Sequence, residues 1–300
     1  MQIYISQSND IYFNLALENW LFLENLQQEK ILFLWQNSPC VVIGRAQNPW
    51  LECNLEAMKK DNIPIARRQS GGGTVYHDYG NLNYTIISPK QNHNIKENFK
   101  LICNVLKKLG INAYKNQRND IVVEYKNDIY KLSGSAFREK KDRAFQHGTL
   151  LINSDIEKLY NYLHHKIDTS LNTKGVKSHR SKVINLTTIN PNIQTQDITK
   201  SFITSFTSIK LNLINEKTPL HNKDLIDNEI KNLKSWQWIF GKTLPFTKTY
   251  IHGNEQIKIT VNSGLIAEIK NDNKIKNTTN KKIRFDNKFN FDFFKKELEK

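Results

Sequence analysis

The chain has 300 residues, 38% hydrophobic and 10% aromatic, enough for a sizeable core and inconsistent with wholesale disorder. Forty-four Lys+Arg against 29 Asp+Glu leave a net charge of +15, which favours acidic partners without choosing among nucleic acid, anionic membrane, phosphorylated substrate and acidic protein. The lysines are spread rather than blocked, so the specific signal for nucleic acid is weak, and no run of 18 apolar residues offers a transmembrane helix. Three cysteines, Cys40, Cys53 and Cys103, form no Cys-x-x-Cys pair; reduced, mostly buried thiols are expected rather than disulfides or a zinc site.

A strand opens the chain at once, without a signal peptide or presequence pattern, so a cytoplasmic protein is expected. Asn9 or Asp10 caps a helix to about residue 26, with Ile11, Leu15, Phe22 and Leu26 on one apolar face. The apolar runs 31–35 and 40–43 flank the turn Gln36-Asn37-Ser38-Pro39 and read as a strand hairpin. A loop over 44–50 precedes a helix over about 55–61 and a strand over 63–67, and a second strand pair is expected over 74–77 and 81–88. A polar surface connection over 89–98 leads into a helix over about 95–109, ended by Gly110. Residues 121–125 and 129–132 form a hairpin, 145–153 a strand, and Ser154-Asp155-Ile156-Glu157 a capping box for a helix to about 163. A basic loop over 173–181 precedes helices over about 197–209 and 223–233. Past Trp236-Gln237-Trp238 and Pro245, residues 249–269 read as a β-meander, 271–282 as a polar loop and 290–300 as a closing helix. The class is therefore α+β with mixed, largely antiparallel sheets, and a domain boundary is expected near 245, giving units 1–244 and 245–300.

The most informative stretch is Arg67-Arg68-Gln69-Ser70-Gly71-Gly72-Gly73-Thr74-Val75-Tyr76-His77-Asp78. Consecutive glycines let backbone N–H groups converge on an anion, and arginines offer planar forks for carboxylate or phosphate. Alone, the glycines would favour a flexible surface hairpin; the arginines on one side and His77-Asp78 on the other move the balance toward a site. Gly241-Lys242-Thr243 imitates the end of a Walker loop, but Trp236 stands where its first glycine belongs. Small residues after Lys131 (Ser133, Gly134, Ser135, Ala136) would let a ligand approach its ammonium; the other reading is a surface charge on a hairpin. Asp120 suits a sugar hydroxyl, a Mg²⁺ ion or a turn; His77 and His147 suit core positions or bases; the loop 174–182 suits solvent or an anionic ligand.

Taken together, Gly44-Arg45-Ala46-Gln47-Asn48-Pro49-Trp50 with Glu52-Cys53-Asn54, the stretch 67–81, Arg118-Asn119-Asp120, Lys131–Ala136, His147-Gly148-Thr149-Leu150-Leu151 and 174–183 resemble, in order, the motifs of the lipoate–protein ligase A family over about residues 1–243. The resemblance implies a biotin/lipoate ligase-like catalytic domain, akin to class II aminoacyl-tRNA synthetases, with a small C-terminal accessory domain. It implies an ATP-dependent lipoate–protein ligase that makes lipoyl-AMP and pyrophosphate, then transfers lipoyl to a carrier lysine. Lys131 would be catalytic; Arg68, Gly73, Thr74, Val75, Tyr76, Asn119, Asp120, Lys131, Gly134, Ser135, Ala136, Lys174 and Arg180 would contact ATP or the adenylate. Leu15, Leu17, Trp35, Arg68, Gly72, Gly73, His77, Lys131, His147 and Gly148 would contact lipoate, and Asp120 would hold Mg²⁺. The partners implied are lipoyl carrier domains of 2-oxoacid dehydrogenase E2 subunits and the glycine cleavage H protein, met by a monomer without nucleic acid or membrane. An ATP-independent lipoyl or octanoyl transferase of the same superfamily shares much of the pattern, but such relatives use a cysteine that no site loop here supplies; the remote alternative is a basic nucleic-acid-binding protein. The segment after 245 is short and carries no recognisable motif.

Overall fold

The computed structural model describes residues 1–24, 30–163, 168–272 and 274–299. Its centre is a mixed six-stranded sheet in the order Ser135–Glu139, Arg143–Leu151, Asn81–Pro89, Ile31–Trp35, Gln2–Ser6 and Lys210–Ile214. The middle strand Ile31–Trp35 is buried on both faces, so its period-2 side chains feed two cores. Leu32 and Leu34 face a core shared with the helices Ile95–Lys107 and Thr195–Ile203; Ile31, Phe33 and Trp35 face one shared with Ile11–Leu23 and Lys223–Lys234.

That strand is not half of a hairpin. It pairs in parallel with Gln2–Ser6 and antiparallel with Asn81–Pro89, whereas Cys40–Ile43 crosses to a separate three-stranded sheet with Ile65–Arg67 and Val75–His77. The expected pairing of 74–77 with 81–88 fails for the same reason: Val75–His77 stays in the small sheet and Asn81–Pro89 enters the large one. The chain passes from the large sheet to the small one after Trp35 and back after His77, and the glycine loop links Ile65–Arg67 to Val75–His77 within the small sheet.

The first helix, Ile11–Leu23, starts where expected, with Asp10 accepting from the N–H groups of Tyr12 and Phe13. Leu26 of the expected apolar face lies outside the described residues. Burial is not confined to one stripe, because the helix is packed between the sheet and Lys223–Lys234; even Asn14 and Glu18 are buried. The helix expected over 197–209 ends at Ile203, and the chain forms the edge strand Lys210–Ile214 instead. The hairpin Ile121–Tyr125 with Asp128–Ser133 forms as read, joined by the short strand Tyr114–Lys115.

Phe246–His252, Glu255–Asn262 and Leu265–Lys270 form the expected meander, extended by Ile275–Asn277 in the stretch read as loop. The opposite edge of this sheet is Leu171–Thr173, antiparallel to Phe246–His252. Leu171 and Trp50 share the apolar core of the meander with Phe246, Phe285 and Phe294, and Lys248 reaches Asp168 at 3.1 Å. The closing helix spans Phe291–Glu299, and the final residue of the expected span lies outside the described residues.

Candidate active site

The two arginines that introduce the glycine loop have different jobs. Arg67 is fully buried and spends its fork on the protein itself: Nη1 donates to the carbonyls of Arg45 and Gln47 (both 2.8 Å), Nε to Ile239 O (2.9 Å), and Nη2 to Ile239 O (2.6 Å) and Thr243 Oγ1 (2.9 Å). It is therefore not available for a ligand, contrary to the expectation drawn from the Arg-Arg pair; it ties the 44–47 loop to the segment before the meander. Arg68 shapes the glycine loop from within. Its Nη2 donates to Gly71 O (2.5 Å) and Gly73 O (2.7 Å), its Nε to Ser70 Oγ (3.0 Å), and its Nη1 to Val42 O (3.2 Å). Burial lowers both guanidinium pKa values to about 10, so both remain charged at neutral pH. Gly72 has φ +84°, and a Cβ there would lie 2.9 Å from Arg68 Nη2, so the loop needs glycine for conformation and for space.

A buried polar chain fixes the wall behind the loop. His147 Nδ1 stands 2.8 Å from Glu18 Oε1, Thr85 Oγ1 donates to the same oxygen (2.6 Å), and Trp35 Nε1 donates to Thr85 Oγ1 (3.2 Å). His147 Nε2 stands 2.7 Å from Ser70 Oγ. With the carboxylate at Nδ1, that nitrogen carries a proton. Burial alone would raise the Glu18 carboxyl; His147, Thr85 and Arg138 outweigh it and hold its pKa below the ordinary value. Ser–His–acid order resembles a nucleophilic triad, but Ser70 is buried, accepts from Arg68 and lines neither of the two cavities beside it. The chain positions rings; it does not present a nucleophile. His77 is buried as well, with Nδ1 2.8 Å from Asn37 Nδ2, and burial, then Arg68 and His147, push its pKa down to about 3.

Two cavities adjoin here. The smaller, about 270 Å³, has apolar walls from Leu15, Trp35, Val42 and Ala136, with Arg68, His77 and His147 among its polar lining. The larger, about 600 Å³, is bounded by Tyr76, Leu151, Leu159, Lys177, His179 and Arg180. Thr74, Val75, Lys131, Gly134, Thr149 and Ser178 line both, as do Lys177 and His179. Lys131 thus stands at their junction, its Nζ 2.7 Å from Asp120 Oδ1. A Cβ on Gly134 would sit 3.1 Å from Lys131 Cε and Nζ, so the glycine leaves the room in which the ammonium sits.

The basic loop has a defined seat over the junction. Ser178 Oγ accepts from Thr74 N (2.9 Å) and from Gln47 Nε2 (2.9 Å), and Ser178 N donates to Glu52 Oε2 (3.2 Å). Behind it, Lys131 N donates to Lys182 O (2.8 Å) and Ile184 N to Lys131 O (3.2 Å). Burial raises the Glu52 carboxyl pKa against the Ser178 hydrogen bonds.

Of the residues singled out in the sequence, Gly72, Gly73, Thr74, Val75, Tyr76, Asp120, Ser135, Gly148 and those just named as lining converge on the two cavities. Three do not line either one: Leu17 is buried in the core between helix and sheet, Asn119 occupies a positive-φ turn (63°) beside Asp120, and Lys174 lies outside the seated part of its loop. Glu18, Asn37, Gln47, Glu52 and Ser178 were not singled out as site residues. Glu18 carried a signal, since it stands at helical spacing between Leu15 and Phe22 where an apolar residue belongs.

The family model of the lipoyl protein ligase A/B catalytic domain matches residues 10–207. Lipoate-protein ligase A of Bdellovibrio bacteriovorus is 40% identical over 251 residues, covering 82% of this chain and 74% of that protein. The structure of P. falciparum LipL1 in complex with lipoate is similar at 33% identity and a TM-score of 0.67, over 90% of this chain and 84% of that one. A structure from the archaeal lipoylation system of Thermoplasma acidophilum, which comprises a bi-partite lipoate protein ligase and its E2 lipoyl domain, shares the fold at 23% identity and a TM-score of 0.66, over 79% of this chain and 94% of that one. The chain belongs to the lipoate–protein ligase A family.

Proposed function

We propose that this protein is an ATP-dependent lipoate–protein ligase with both half-reactions. In the first, a lipoate carboxylate oxygen attacks the α-phosphorus of ATP and pyrophosphate leaves. In the second, a carrier lysine amine attacks the acyl carbon of lipoyl-AMP, loses its proton, and AMP leaves. The observation that carries this reading is Lys131 at the junction of two cavities, with Arg68 and Arg118 lining the smaller, Arg180 the larger and Lys177 both. Two anions repel until positive charge stands between them, and that is where the ammonium is held. The acyl chain would occupy the smaller cavity, where each buried CH₂ contributes about 0.8 kcal/mol. The nucleotide would occupy the larger, with Lys177, His179 and Arg180 near its phosphates.

Among the described residues no cluster of three or more His, Cys, Asp or Glu could hold a metal alone. Magnesium keeps several waters and commonly uses one carboxylate plus substrate phosphates, so Asp120 fits as the protein ligand of a nucleotide-borne ion that would neutralise phosphate charge. The acceptor proteins would be lipoyl carrier domains of E2 subunits and H protein, guided by the net charge of +15 if their surfaces are acidic. Residues 1–244 would form the catalytic unit and 245–300 the accessory unit of a cytoplasmic monomer; no described helix is long and apolar enough to cross a membrane.

The second reading, an ATP-independent transferase, lacks a nucleophile here. Cys40 and Cys53 are fully buried with pKa values pushed far up by burial, and Cys103 lies on the helix Ile95–Lys107, lining neither cavity. The test is ATP–pyrophosphate exchange with and without lipoate. Lipoate-dependent exchange is expected, falling on the order of 10²–10³-fold in Lys131→Ala. No exchange, with transfer from supplied lipoyl-AMP to a lipoyl domain, would reduce the protein to a transferase.

A further inference from the structure

The basic loop 174–182 carries four cations, Lys174, Lys177, Arg180 and Lys182, and no acid, a composition that repels itself and favours solvent. It is fastened near both ends: Val176 N donates to Ala46 O (3.2 Å), and Lys182 O accepts from Lys131 N (2.8 Å). Between those points Ser178 makes the contact with the rest of the fold. Its hydroxyl oxygen accepts from Thr74 N and Gln47 Nε2, both at 2.9 Å. Its N–H donates to the Glu52 carboxylate, 3.2 Å from Oε2 and 3.3 Å from Oε1.

Glu52 is itself held in place. It ends the short helix Pro49–Glu52, which Asn48 caps and whose Trp50 is locked into the core of the meander. It is only 8% exposed, yet it lines the larger cavity. An acid in the wall of a cavity read as a triphosphate site calls for a reason, because it repels that ligand. Asp168, the other acid among the described residues lining this cavity, is taken up by Lys248 (3.1 Å) and by Ser170 N (3.0 Å). Glu52 is answered by the loop instead. Burial raises its pKa, while hydrogen bonds from the Ser178 hydroxyl and amide, then the charges of Lys177 and Arg180, oppose the rise. The loop thus finds in Glu52 the negative charge that its own sequence lacks.

We propose that Glu52 is a positioning residue for the nucleotide half of the reaction: by holding Ser178 it sets Lys177 and Arg180 over the larger cavity before ATP arrives. The proposal rests on the lipoate-ligase reading above and deepens it. Glu52 acts through Ser178 and the cations beside it, not on the reacting atoms. A loop already in its seat does not lose its freedom a second time when the ligand binds, so affinity is gained without a new contact. Removing a hydrogen bond to a charged group should open the seat about tenfold.

The test is limited trypsin digestion of the full chain without ligands, read by mass spectrometry, on the unsubstituted protein and Glu52→Ala. Cleavage after Lys177 and Arg180 should be about tenfold faster in the variant, since cleavage follows the open population, with thermal unfolding and cleavage elsewhere unchanged. An unchanged rate at both bonds in folded Glu52→Ala would overturn the proposal. Should that variant not fold, Glu52→Gln, which keeps the volume but not the charge, decides by the same measure: faster cleavage supports the proposal and an unchanged rate overturns it. In lipoate-dependent pyrophosphate exchange the variant should raise the KM for ATP about tenfold and leave the KM for lipoate within about twofold, a split that a general loosening of the fold would not give. An unchanged KM for ATP, or an equal rise in both, would also overturn it. Loop cleavage as expected, but no exchange even in the unsubstituted protein, would remove the ligase reading and the nucleotide role of Glu52 with it, so the two failures are told apart.

Discussion

The burial of His77 predicts a measurable pH dependence of stability. In the unfolded chain the imidazole has its ordinary pKa of 6.5; in the fold that value drops to about 3, because the ring is out of water and faces Arg68 and His147. Between those values the unfolded chain binds more protons than the folded one, so stability falls as pH falls through 6.5 toward 3. At pH 7.5 both states hold a neutral ring and the contribution is close to zero. At pH 5 the unfolded ring is almost fully protonated and the folded ring is not, which favours unfolding by about 2 kcal/mol. That figure is set by the unfolded pKa and hardly depends on how far below 4 the folded value lies. Urea unfolding of the unsubstituted protein and of His77→Gln at pH 7.5 and 5.0 isolates the ring, since Arg68, His147 and all other titrating groups are present in both proteins. The stability of the unsubstituted protein relative to His77→Gln should fall by about 2 kcal/mol between the two pH values. An unchanged difference would mean that the folded ring takes up a proton as readily as the unfolded one, and that its burial does not hold it neutral.

Two further outcomes follow from packing. Arg67→Met removes the donors that satisfy the carbonyls of Arg45, Gln47 and Ile239 and should cost about 3 kcal/mol or more in urea unfolding, while Arg45→Met, at an exposed position, should stay within about 0.5 kcal/mol. Equal effects of the two would refute the structural assignment of Arg67. Gly148→Ala would place a Cβ 2.3 Å from the Tyr84 hydroxyl and 2.7 Å from Gly134 O, in the strand beside the Lys131 turn. It should cost about 1–3 kcal/mol in thermal or urea unfolding and lower transfer activity in protein that remains folded; full activity with unchanged stability would show that the strand relaxes without moving the Gly134 turn.

The site was more legible in the chain than the sheet that supports it. Three glycines after two arginines, and small residues after Lys131, break local rules for ordinary strands and turns, and such breaks point to function. Strand pairing carries no comparable local mark. The runs 31–35 and 40–43 are apolar throughout because both are wholly buried, so nothing in their pattern says that they belong to different sheets. The strand Lys210–Ile214 was hidden for the opposite reason: Leu211 and Leu213 are about half exposed at the sheet edge, so its alternation does not mark a buried face. Arg67 was misread because sequence shows the charge of a guanidinium but not the distant carbonyls of residues 45, 47 and 239 that use it.

The three-residue strand Leu171–Thr173 means that the chain's modules are not separable at a single cut. A chimera that exchanges everything after residue 244 with a relative would ask the incoming meander to pair with the host's Leu171–Thr173 edge and to pack on the host's Trp50 and Leu171. Asp168, Leu171 and Asn172 also line the larger cavity, so a graft that fits this seam badly would be felt at the wall of that cavity before it was felt in the remote meander. Inheritance of the C-terminal segment is thus coupled to a short stretch some seventy residues upstream, and the two have to be exchanged as one unit.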